Sequence, residues 1–152
     1  MRNAVVRWIP PRLWRRVNAH FRHSGDFYVE APRGWTYRRK QRHMYRRFPW
    51  EGDVPTQAAY LAKNLVNLQR FPDANKRTAS VLLEVFLESN GYELTCDNAA
   101  YAEFLIEVQH AVPSAAWDGR SFSLRTEYIP WLDDAYHARL RGWFAANAKR
   151  KA

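Results

Sequence analysis

Apolar residues recur at helical spacing along most of the chain. Leu13, Val17 and Phe21 lie four apart and predict a first helix over 12–23, stopped by Ser24-Gly25. Ala58, Leu61, Ala62, Leu65 and Leu68 repeat the pattern, after a Thr56 suited to cap the helix they imply. The stripe Ala79, Leu82, Leu83, Phe86 and Leu87 predicts a second strong helix from about Asn75 to Asn90, ended by Gly91. Asp97 then caps a helix faced by Tyr101, Phe104, Leu105 and Val108, with Pro113 just beyond. A last helix is expected from near Pro130, with Leu132, Ala135, Tyr136, Leu140 and Trp143. The tail Lys149-Arg150-Lys151 reads as frayed and solvated. Two stretches lack the helical period. In 26–37, Pro32-Arg33-Gly34 separates two short extended pieces, a pattern that suits a β-hairpin. Phe48 to Pro55 reads as loop. The expected fold is all-α, a bundle of five to six helices with a small β-hairpin in the first third.

With 152 residues, nearly half of them apolar, the chain is long enough for one good core, and no repeat or low-complexity linker divides it. A single domain over 1–152 is expected. Its one cysteine, Cys96, rules out an internal disulfide and reads as incidental, with no activating signature beside it. No apolar run approaches the roughly 20 residues of a membrane span, and Met1 to Arg16 lacks the apolar stretch of a signal peptide. The expected location is cytoplasmic, with no membrane partner.

Charge changes the picture more than composition does. The net charge is +9, but residues 1–50 hold 13 Lys/Arg against Asp26 and Glu30, a balance of +11, while 51–152 balance at −2. Such asymmetry implies an acidic partner. Its densest part is the block 38–47, with Arg38, Arg39, Lys40, Arg42, Arg46, Arg47 and Tyr45. That block reads equally as a solvated face or as a docking surface, and positive charge with aromatic rings suits nucleic acid.

The candidate chemistry lies between the two strong helices, in Gln69-Arg70-Phe71-Pro72-Asp73-Ala74-Asn75-Lys76-Arg77-Thr78. A helix start offers unpaired N–H groups and the positive end of the dipole, so it attracts anions. Ala74 is small enough for a ligand to approach the backbone. Lys76 and Arg77 put two cations in the first turn, against the dipole, and a bound phosphate would resolve that conflict. Asp73, the one anion beside them, is of the type that holds magnesium bridged to phosphate. On spacing alone a plainer reading stands beside this one, with Asp73 as a cap, Asn75 supporting the turn, and Lys76 and Arg77 solvated.

This string resembles the signature of the Fic/Doc (Fido) family, His-x-Phe-x-Asp/Glu-Gly/Ala-Asn-Gly/Lys-Arg-Thr. Seven of its eight fixed positions fit. The resemblance covers about residues 50–112, the motif-bearing core, beside a basic N-terminal segment 1–50. It implies that Phe71 anchors the loop and that Asp73 binds magnesium. It also implies that Ala74, Asn75 and Lys76 form the anion hole for ATP phosphates, and that Arg77 pairs with phosphate. Members that transfer AMP usually have Gly at the place of Lys76 and a second Arg at that of Ser80. Members similar to the death-on-curing toxin Doc have Ala-Asn-Lys-Arg, as here. Those transfer phosphate from ATP to a threonine of elongation factor Tu, a translation factor, and are silenced by an antitoxin.

One position departs. The family histidine, general base for the target hydroxyl, falls on Gln69, whose amide can orient a hydroxyl but cannot accept a proton near neutral pH. Its loss typically costs about 10²–10⁴ in rate. None of His20, His23, His43, His110 and His137 lies in the motif. Three readings remain open: a slow Doc-like transferase of phosphate or AMP, a catalytically dead relative that binds nucleotide or protein, and a nucleic-acid-binding module using the basic first third.

Overall fold

The computed structural model describes residues 7–23, 42, 44–67, 75–110 and 134–152. Helix α1 spans Pro11–His23, α2 Val54–Ala62, α3 Asn75–Ser89, α4 Asn98–His110 and α5 Asp134–Asn147. A helical turn covers 44–47. Two short strands, β1 (Tyr92–Leu94) and β2 (Ala148–Arg150), pair antiparallel. The fold is therefore all-α with a small antiparallel strand pair. The hairpin expected over 26–37 lies outside the described residues.

α2 and α3 supply the centre of the core. In α2, Ala58, Ala59, Leu61 and Ala62 are fully buried, and its closest packing is against α5. In α3 all five residues of the expected stripe are buried. Gly91, at φ 78°, ends that helix in the left-handed conformation that costs glycine least. Asp97 caps α4 as expected, its carboxylate accepting from the Ala100 N–H at 2.8 Å. Tyr101, Phe104, Leu105 and Val108 face inward. Trp143 of α5 stacks on Phe104 with centroids 3.7 Å apart, and Phe144 meets the same ring edge-on.

Four expectations change. The most buried face of α1 is Trp14 and Asn18, with Leu13, Val17 and Phe21 at its margins; a polar residue in the centre hides the true stripe. The cap of α2 is Asp53, not Thr56. Its carboxylate accepts from the Thr56 N–H at 2.9 Å, and the helix starts one residue before Pro55, which needs no N–H partner there. The second half of the 58–68 helix turns π-helical over Lys63–Asn67, where buried Asn64 donates to the Tyr60 carbonyl at 2.9 Å and occupies an acceptor of the ladder. The tail is not frayed, since Ala148–Arg150 pairs with β1 and the Lys151 N–H donates to the Gly91 carbonyl.

Candidate functional site at the start of helix α3

α3 begins at Asn75, has 15 residues and carries no acid in its first turn. Its leading amides carry the positive end of the helix dipole. Lys76 is half-buried and Arg77 exposed. The Lys76 ammonium donates to Gln109 Oε1 on α4 at 3.3 Å. The Arg77 guanidinium lies over the ring of Phe21, near the end of α1, at 5.7 Å. Adjacent in sequence, the two cations diverge to opposite flanking helices. Neither pairs with a carboxylate among the described residues.

Below them the helix is tied down. Thr78 is fully buried, and its hydroxyl accepts from Asn18 Nδ2 of α1 at 3.1 Å. The Tyr101 hydroxyl of α4 donates to the Ser80 carbonyl at 2.7 Å. Burial, with the Glu84 charge adding, pushes that phenol well above the usual range, so it stays a donor at any working pH. The Ser80 hydroxyl folds back onto the Arg77 carbonyl at 2.7 Å. This side chain thus serves its own helix.

Of the expected site residues, the structure brings Lys76 and Arg77 to one helix turn. Asn75 opens that turn, though its side chain, with Gln69, Asp73 and Ala74, lies outside the described residues. The partners Asn18, Phe21 and Gln109 were not foreseen, because each reads as an ordinary position of an amphipathic helix. Asn18, polar at the centre of an apolar face, was the one signal. His20 meets Phe21 edge-on at 5.4 Å. Cys96 is half-buried; burial first, then the Asp97 and Glu84 charges, push its thiol up, away from the reactive thiolate. In the basic block Arg42, Arg46 and Arg47 are exposed, while Arg38, Arg39, Lys40 and His43 lie outside the described residues.

The helix start fits a phosphate group, having two cations in a first turn that carries no acid and, among the described residues, no carboxylate partner for either. Among the described residues no three His, Cys, Asp or Glu side chains gather as a metal site, so a magnesium role rests on Asp73. No described helix is long and apolar enough to cross a membrane. Comparison with family models, with curated proteins and with solved structures finds no match, so the likeness to the Fic/Doc signature rests on the motif residues themselves.

Proposed function

We propose that this chain is a cytoplasmic, Doc-like nucleotide-dependent transferase that moves phosphate or AMP from ATP to a protein hydroxyl, slowly. The observation that carries the reading is the pair Lys76 and Arg77 in the first turn of α3, neither bound to a carboxylate among the described residues, within a motif that fits at seven of eight positions. Lys76, Arg77 and the leading amides of α3 would hold the ATP phosphates, with Asp73 holding magnesium. Bound ATP supplies the transferable group and magnesium its counter-charge. Phosphoryl transfer depends largely on positioning and charge neutralisation. Those two tasks belong to residues this chain retains. Gln69 would orient the acceptor hydroxyl without taking its proton, which passes to water as ADP (for phosphate) or pyrophosphate (for AMP) departs, and this leaves a rate lower by about 10²–10⁴ than a histidine would give. By the same resemblance, an antitoxin and a translation factor are the protein partners.

Gln69 also favours a second reading, a relative that binds ATP and magnesium without transfer. Both are tested by incubating the natural protein and Gln69→His with magnesium and ATP, labelled separately at the α- and γ-phosphates, in a bacterial lysate. Labelling by the natural protein supports the transferase, the γ-label meaning phosphate and the α-label AMP. Labelling by Gln69→His alone supports the binding reading. No labelling by either, together with no ATP binding, refutes both.

A further inference from the structure

The nucleotide reading uses none of the charge in the first third of the chain. Part of that charge gathers around an aromatic platform. Trp8 lies with its ring centroid 5.5 Å from Tyr45 and 5.6 Å from Trp50, and Tyr45 lies 4.8 Å from Trp50. Beneath them, buried Phe48 touches Trp8 at 4.7 Å and reaches Phe86 of α3 at 6.1 Å. Phe48 and Met44 turn one side of the helical turn 44–47 inward, which leaves Tyr45, Arg46 and Arg47 outside. Tyr45 is 50 % exposed, an unusual cost for an aromatic ring with a core at hand.

The platform is fixed from several sides. The Trp50 indole N–H donates to the Tyr45 carbonyl at 3.2 Å. Buried Gln57 donates to the Pro49 and Trp50 carbonyls at 3.2 and 3.3 Å. Asn90 holds the backbone of Arg7 in both directions, at 2.9 and 3.1 Å. The Arg7, Arg46 and Arg47 side chains are exposed and form no ion pair among the described residues.

The geometry points to a binding surface for single-stranded nucleic acid, with a base stacked on Tyr45 and phosphates on Arg7, Arg46 and Arg47. A flat base matches a pinned ring, and guanidinium groups match the backbone. An acidic polypeptide would satisfy the arginines and leave the ring platform without a role. Asn90 and Phe86 place this surface by the C-terminal end of α3, about 20 Å along the helix from Lys76 and Arg77. The two sites are therefore separable.

The test is fluorescence anisotropy of the full chain with a short fluorescein-labelled oligothymidylate and its RNA counterpart, across a salt series. Binding is expected to weaken with salt, by about 0.7 in log–log slope per phosphate contact. Arg46→Ala with Arg47→Ala should lower the slope by about 1.4. Tyr45→Ala should weaken binding about tenfold while Tyr45→Phe retains it. Tyr45 is exposed, and an unchanged circular dichroism spectrum checks that its variants fold. ATP labelling should be unchanged in all of them. Three results would overturn the inference: no binding at low salt, Tyr45→Ala binding as tightly as the natural protein, or polyglutamate competing as well as the oligonucleotide.

Discussion

Thr78→Val tests whether the start of α3 is held by its buried hydrogen bond to α1. Both side chains are fully buried, and Asn18 Nδ2 donates to the Thr78 hydroxyl across 3.1 Å. Valine keeps the shape of threonine and removes the hydroxyl, which is the acceptor of this bond and a donor as well. A neutral hydrogen bond contributes about 1 kcal/mol net, and losing a buried hydrogen-bond partner costs about 1–3 kcal/mol. The expected loss is therefore about 2 kcal/mol. With a urea slope of about 2 kcal/mol/M, the midpoint should fall by about 1 M at unchanged slope. Asn18→Ala should cost at least as much, because it also opens a cavity. The double variant should fall short of the sum by about 1 kcal/mol, the coupling expected of groups in contact. The assay is urea unfolding followed by circular dichroism, with ATP affinity measured well below each midpoint. A midpoint shift below about 0.2 M for Thr78→Val, or additivity within about 0.3 kcal/mol, would refute the tether.

Gly91 and Gly142 should respond oppositely to alanine, although an added Cβ meets nothing within 4 Å at either. Gly91→Ala should cost about 1 kcal/mol, because φ is 78° there, whereas Gly142→Ala, inside α5, should gain about 0.5–1 kcal/mol; thermal unfolding reads both. Burial raises the Asp53 carboxyl, but hydrogen bonds from Thr56 and Arg141 outweigh it and hold the group below its ordinary value. Its contribution is thus present above about pH 4 and is lost as pH falls through the folded-state value. Asp53→Ala should flatten that acid limb and cost about 1 kcal/mol as a lost cap, while Arg141→Ala, in an exposed pair, should cost under about 0.5 kcal/mol. Cys96 should alkylate with iodoacetamide at pH 7 more slowly than free cysteine, since its thiol is pushed up by burial. Gln109→Glu should steady Lys76 with a full charge yet weaken ATP binding by about two- to fivefold, read by calorimetry.

The legible parts of the fold are those where one strong local signal decides. α3 and α4 show five and four apolar residues at helical spacing, and each has its punctuation in Gly91 and Asp97. The strand pair was not legible, because Leu94 and Ala148 are far apart in sequence and three residues show no alternation. Its stability is carried by backbone bonds, extended by the Thr95 N–H to the Asn147 carbonyl at 2.8 Å. The π-turn was hidden too, since its apolar residues Leu65 and Val66 suit either helix. In the site, Lys76 and Arg77 stand out by opposing the dipole. Their partners do not, because an interhelical contact leaves no trace in the spacing of either helix.

The choice of those partners bears on what the first turn of α3 is for. Two cations at a helix start cost about 0.3–1 kcal/mol each against the dipole. A carboxylate at position 109 or 21 would recover that loss. The chain instead has an amide oxygen and an aromatic ring, which orient Lys76 and Arg77 without cancelling their charge. The burden of holding the turn falls on neutral contacts deeper in the structure, Asn18 to Thr78 on one side and Tyr101 to the Ser80 carbonyl on the other. For the proposed phosphate site, a turn held from below by these neutral contacts keeps its backbone in place on binding.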